Sequence, residues 1–283
     1  MPVKNFLLRT MIGFAPLALF WIIGCTGKSG KSFLPKIPGY AENKKEFIVL
    51  DKRLLEISGM SYLPDGRIAG MDDEKGKIFI INIKDGSFET IDYSGKGDYE
   101  DMVKVKDFYY VMESQGKMHK VSASTPFTAT TFKFMKGLKI EFEGLYFDSS
   151  ANKLVMVSKD HRNSSREILT YAFDLSTETF SEDPYYTIPM ASVLARMEDN
   201  TVEIKPSAAA IHPLQKKLFI VASVGKSLIK CTLQGKVEQV YRLNPTQFPQ
   251  PEGITFAPNG DMYISNEGVQ GKATILKFPY VHP

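Results

Sequence analysis

Pro251-Glu252-Gly253-Ile254-Thr255-Phe256 runs into the turn Pro258-Asn259-Gly260 and then into Asp261-Met262-Tyr263-Ile264-Ser265-Asn266-Glu267. Two short, β-branched and aromatic runs on either side of a Pro-Asn-Gly turn describe a β-hairpin. The unit recurs. Glu56-Ile57-Ser58-Gly59-Met60 leads through Pro64-Asp65-Gly66 to residues 67–73, and Tyr99-Glu100-Asp101-Met102 leads to 107–114. Phe142-Glu143-Gly144-Leu145 leads to 152–160, and Pro206-Ser207-Ala208 leads to 217–223. Each copy is one acidic or hydroxyl residue, a strand, a tight turn, and a second strand that ends in polar residues.

Aligning the copies on Ser58, Glu100, Glu143, Ser207 and Glu252 gives steps of 42, 43, 64 and 45 residues. A period of about 40–45 residues is that of one four-stranded propeller blade. The long step is assigned an insertion over 183–203, with a possible helix over 190–196. Too little chain follows Glu252 for a full blade, so the strand at 46–51 is expected to complete it and latch the ring. The expectation is an all-β, five-bladed β-propeller; six blades remain if the long step hides a degenerate unit.

In a propeller the first strand of each blade lines the central channel, so equivalent positions form a ring. Here the ring is Ser58, Glu100, Glu143, Ser207 and Glu252. Three carboxylates converging in a tunnel repel, and their pKa values rise unless a cation neutralises them. An all-oxygen donor set suits a hard cation, and calcium, with about 6–8 oxygen ligands, is the expected cofactor. Zinc fits poorly, because His119, His161, His212 and His282 have no ligand-like spacing. Protonated glutamates around water are the alternative.

The repeats Glu-Ile-Ser-Gly-Met at 56–60, Phe-Glu-Gly-Leu-Tyr-Phe-Asp at 142–148 and Pro-Glu-Gly-Ile-Thr-Phe-Ala-Pro-Asn-Gly at 251–260 resemble the SdiA-regulated family of bacterial propellers. The resemblance spans about residues 45–283. The ring order Ser, Glu, Glu, Ser, Glu is also similar to that of the calcium-dependent apyrases. That resemblance implies a calcium-ligand role for the same five residues, and Asp72-Asp73-Glu74-Lys75-Gly76 looks like an apyrase segment. The phosphate-facing basic residues depart from the apyrase pattern: only Lys159, His161, Arg162 and Arg166 lie in a comparable place.

A hairpin returns its second strand to the end where the first began. Asp72, Asp73, Glu113, Ser114, Lys159, Asp160, Ser223, Asn266 and Glu267 are therefore expected around one tunnel entrance. Such a funnel over a cation suits an anionic small molecule, and Asp73, Glu113 and Asp160 are the candidate general bases if there is catalysis. No Gly-x-Ser-x-Gly elbow is present, and Gly27–Ser32 and 224–227 fail the phosphate-loop spacing.

The N-terminus reads separately. Lys4 and Arg9 precede an apolar run at 11–23, and Gly24-Cys25 follows. This describes a secretory signal over 1–24, with Cys25 resembling a lipobox cysteine, although Ile22 and Ile23 depart from the usual pair. Residues 25–44 read as a lipidated cysteine and flexible tether, and 45–283 as the propeller. The expected location is the cell envelope, on the periplasmic or surface side, attached to the membrane through Cys25. With only Cys231 left, no internal disulfide can form, and Cys231 reads as a buried small hydrophobe. The chain carries a net charge of +3 with no basic stripe, which argues against a nucleic-acid partner. A monomeric ligand-binding or scaffold protein is expected first. A calcium-dependent hydrolase of a phosphate ester, nucleotide or lactone is the alternative, and a flat protein-interaction platform a third reading.

Overall fold

The computed structural model describes residues 37–134, 139–161, 166–197, 201–268 and 271–281. The expected signal peptide, Cys25 and the tether up to residue 36 lie outside the described residues. Five antiparallel sheets follow one another along the chain, and the six-blade alternative falls away.

The strands are β1 (Glu46–Val49), β2 (Ile57–Tyr62), β3 (Ile68–Asp72), β4 (Lys75–Ile81), β5 (Phe88–Lys96), β6 (Tyr99–Val105), β7 (Phe108–Glu113), β8 (Met118–Ser122) and β9 (Ala129–Phe132). They continue with β10 (Ile140–Asp148), β11 (Lys153–His161), β12 (Glu167–Asp174), β13 (Thr179–Phe180) and β14 (Tyr186–Pro189). After the helix α1 (Met190–Met197) come β15 (Lys205–His212), β16 (Lys217–Val224), β17 (Ser227–Cys231), β18 (Val237–Arg242), β19 (Pro251–Phe256), β20 (Met262–Asn266) and β21 (Thr274–Phe278). Blades one to four are β2–β5, β6–β9, β10–β14 and β15–β18. Blade five has the order β1-β21-β20-β19, so the N-terminal strand supplies its outer edge. Glu46 pairs with Lys277 and Val49 with Thr274. The expected insertion contains β14 and α1.

Each sheet is sandwiched between two others, so both faces of its inner strands are buried, whereas outer strands such as β5 and β9 are largely exposed. Along β11, Leu154 and Met156 pack toward blade two, whereas Val155 and Val157 pack toward blade four. Successive side chains point to opposite faces, and one strand thereby serves two cores. Five apolar clusters result, one between each pair of neighbouring blades. The packed chain begins ahead of residue 45. Ile37 and Tyr40 are buried in the cluster between blades four and five. Tyr40 bridges to Tyr280, and its hydroxyl donates to the Gly260 carbonyl at 3.0 Å. The expected tether boundary at 44 thus falls inside packed chain. Cys231 is fully buried, and burial pushes its thiol up to about 12.

Around the axis the inner strands approach closely, and the glycines following the ring residues make this possible. A Cβ on Gly59 would lie 2.2 Å from Asp101 Oδ1, and one on Gly253 2.6 Å from the Ser58 carbonyl oxygen. Neither glycine has a positive φ; they serve proximity, not a turn. At the equivalent position of blade two stands Asp101, which is 1% exposed. Its Oδ1 accepts from the Met102 N–H, and its Oδ2 from the N–H groups of Leu145 in blade three and Ala209 in blade four. One carboxylate therefore ties three inner strands together.

Candidate functional site

Ser58, Glu100, Glu143, Ser207 and Glu252 share a backbone feature invisible in the sequence. Each sits where its inner strand carries a β-bulge. Glu143 lies between Phe142, opposite Ser158, and Gly144, opposite Val157. Ser207, Glu252 and Glu100 fall in the same gaps of their own ladders, and Ser58 shares its gap with Gly59. A bulge takes a residue out of the regular alternation and re-aims its side chain. Five bulges at one register are a device for turning five side chains out of the inter-blade packing.

The five side chains do different things. Ser58 Oγ donates to the Glu100 carbonyl at 2.6 Å, and Ser207 Oγ to the Pro251 carbonyl at 2.7 Å. Both hydroxyls staple one blade to the next. The three carboxylates line one cavity of about 220 Å³, together with Ser58, Glu56, Asp73, Gln250, Glu267 and Lys159. Ser207 faces the neighbouring hollow. Among the described residues Lys159 is the one cation in the cavity lining, paired with Glu143.

Six carboxylates against one ammonium leave the cavity under strong like-charge repulsion. Burial, with Glu143 and Asp98 nearby, pushes Glu100 up to about 9. Burial and Glu143 push Glu252 up to about 7, against the opposing effect of a hydrogen bond with Ser223. Burial also raises Glu143, which Lys159 partly offsets.

A second ring lies two residues earlier in each repeat: Glu56, Asp98, Glu141, Lys205 and Gln250. Every one is polar, a regularity that was readable in the sequence, and Glu56 and Gln250 line the same cavity as the ring carboxylates. From this ring Glu56 joins Asp73 and Glu267 in a cluster in which one carboxylate oxygen from each lies within 4.8 Å of the other two. The backbone builds it. The Asp73 N–H donates to the Glu56 carbonyl at 3.1 Å, and the Gly268 N–H to the Leu55 carbonyl at 2.8 Å. These bonds bring the ends of β3 and β20 to the start of β2, at the seam between blades one and five. Burial and a carboxyl–carboxyl hydrogen bond with Glu56 push Glu267 up to about 8. Burial and Glu56 push Asp73 up to about 6, and Asp73 Oδ1 is buried without a hydrogen-bond partner. Gln250 Nε2 donates to Glu267.

The other funnel candidates divide. Asp72 is buried in its own turn, accepting from the Glu74 and Lys75 N–H groups. Glu113 is directed away from the cavity. It pairs with His119 Nε2 at 2.7 Å and with Lys117, whose combined pull outweighs burial and holds it below the usual range. His119 Nδ1 in turn meets Thr131 Oγ1 at 2.9 Å. Blade two thus uses Glu113 as internal structure, and the expected base is not at the tunnel. Ser114 accepts through its carbonyl from the Phe142 N–H, and Asn266 Nδ2 donates to the Gln247 carbonyl. Asp160 stands opposite Glu141 in the β10–β11 ladder.

Chemically, the described residues offer clustered carboxyl oxygens whose ionisation is disfavoured by burial and by one another. Among solved structures the chain is similar to glutaminyl cyclase of Myxococcus xanthus, with 12% identity, 84% of this chain and 96% of that chain covered, and a TM-score of 0.57. It is also similar to a gluconolactonase from Xanthomonas campestris, with 9% identity, 83% and 90% covered, and a TM-score of 0.54. A streptogramin B lyase gives 10% identity, 83% and 98% covered, and a TM-score of 0.50. At these identities the likeness is one of fold alone. No curated protein sequence matches the chain. Residues 50–269 match the model of the SdiA-regulated family, and this β-propeller belongs to it.

Proposed function

We propose that this protein is a membrane-anchored envelope propeller that binds a divalent cation, calcium foremost, at its tunnel mouth, and works as a ligand-binding protein. The observation that carries the reading is the cavity of six carboxylates and one lysine. Such a set must hold protons, a cation, or both. Glu56, Asp73 and Glu267 have the mutual spacing to share one ion. Glu100 and Glu252 offer further oxygens from the expected ring, whereas Glu143 is already occupied with Lys159. All are hard donors, matching calcium's preference for oxygens in flexible geometry.

Calorimetric titration of the detergent-solubilised full chain with calcium tests this. One ion per chain is expected, with protons released on binding. Glu56→Gln, Asp73→Asn and Glu267→Gln should each weaken binding by about tenfold or more, because each removes a charged ligand. Each should also stabilise the metal-free protein, since like-charge repulsion is relieved. An isotherm unchanged by all three substitutions would rule out this site.

The anchoring part rests on the apolar run and Gly24-Cys25. Cys25→Ser is expected to shift the protein from the membrane pellet to the soluble envelope fraction, because a diacylated cysteine supplies the chains needed for stable attachment. Retention of the variant in the pellet would leave lipidation without a role.

A further inference from the structure

Beside the carboxylate cavity the mouth opens into a second hollow of about 530 Å³ with a different charge. Lys159, Lys205 and Lys226 line it together with Ser207 and Ser223, and it shares Glu143, Lys159, Gln250 and Glu252 with the first cavity. Three ammonium groups face two carboxylates here, whereas six carboxylates face one ammonium next door. The mouth therefore changes sign across a few ångströms.

The fold delivers these lysines from three separate places. Lys159 lies near the end of β11, Lys205 opens β15 opposite Val224, and Lys226 sits in the β16–β17 turn. Lys205 is the second-ring position of blade four, where blades one, two and three carry Glu56, Asp98 and Glu141. That ring is acidic on one side and basic on this side. Lys226 Nζ donates to the Ser223 carbonyl at 2.7 Å, and Lys205 pairs with the largely exposed Glu203 at 3.3 Å. Burial disfavours the charged form of Lys226, and the nearby Glu252 carboxylate favours it.

We propose that this hollow is an anion subsite for a phosphate-class oxyanion, held by Lys159, Lys205 and Lys226 and bridged to the cation of the adjoining cavity. The inference rests on the cation reading above. Without the ion, Glu252 of the shared wall repels a dianion; an ion that also takes Glu252 as a ligand offsets that charge, and Lys159 offsets Glu143. Lysines are suited to the role as compact point charges around a phosphate. A pocket of this size with a few convergent polar groups is the usual form of a small-molecule site. Two ligands that share a wall must also report on each other, because coupling between binding free energies is reciprocal.

Titration of the detergent-solubilised full chain with calcium, alone and with glycerol 2-phosphate, tests the proposal. The ester should tighten calcium binding by about tenfold, within the usual range of such couplings, and should bind weakly or not at all in chelator. Gluconate, a carboxylate of similar size, should tighten it far less. Lys205→Met and Lys226→Met should each abolish most of the ester effect and leave calcium binding in its absence intact. If calcium binds but the ester changes nothing, or gluconate matches it, the anion subsite is overturned and the cation reading stands. If calcium itself fails to bind, both fall together.

Discussion

In calcium-free buffer the propeller should lose stability as the pH rises from 5 to 8, and calcium should remove that loss. Glu100, Glu252, Glu267 and Asp73 are held up to about 9, 7, 8 and 6. Their unfolded values lie near those of free carboxylates, 4.5 and 3.8. Across this window the native chain binds more protons than the unfolded chain. Stability therefore falls with pH, by about 1.4 kcal/mol per unit for each extra proton held. The favourable contribution is complete below the unfolded values and is spent as the pH passes the folded ones.

Solvent screening at a tunnel mouth reduces the sum, and a net loss on the order of 3 kcal/mol is expected. Exposed pairs such as Asp51–Arg53, whose carboxylate is lowered to about 2, titrate far below this window and do not offset it. A bound cation replaces the protons and adds about 2.7 kcal/mol at a hundredfold excess over its dissociation constant. Urea midpoints at pH 5, 6.5 and 8, in chelator and in calcium, measure both effects. Flat midpoints in chelator would mean that the carboxylates are not strained together.

Asp101→Ala is expected to cost about 3–5 kcal/mol, the range for leaving a buried polar network uncompensated. The substitution strips the acceptor from the Leu145 and Ala209 N–H groups, which reach Asp101 Oδ2 at 2.7 and 3.4 Å. It also empties the space against Gly59. Asp101→Asn should cost less, because its amide oxygen still accepts from the Leu145 N–H, although its NH2 group leaves the Met102 N–H without an acceptor. Thermal melting should drop by about 10 °C for the alanine variant, given a few degrees per kcal/mol in a domain of this size. An alanine variant melting within a degree or two of the parent would show that the inner strands hold one another without this carboxylate.

How much of this was legible depends on which physical property carries it. The blades were readable because a propeller repeats one hairpin, and each copy kept its turn and its polar residue. The latch was readable because one strand pattern, at 46–49, precedes the first copy and belongs to none of the others. The bulges were not, since register belongs to pairs of strands and leaves no mark on either one alone. Asp101 was quoted within its repeat, yet its role depends on N–H groups brought in from blades three and four. Glu56 stands outside the ring position of its repeat, and the signal for it is the polar residue two places earlier in all five copies. Glu113 was placed at the mouth by topology, and a neighbouring lysine and histidine drew its side chain elsewhere.

The pairing of Glu46 with Lys277 fixes an order of events during synthesis. The strand at 46–49 is made before the first blade and is the last to find its partner, because residues 274–278 follow the other four blades in the chain. Until then four blades can stack in sequence as a growing arc, each new hairpin packing on the one before. The entropic penalty for joining such distant ends grows only with the logarithm of the length between them. The waiting strand therefore costs little in equilibrium and much in time, and the nascent chain carries an unmatched strand edge until residues 274–278 are made.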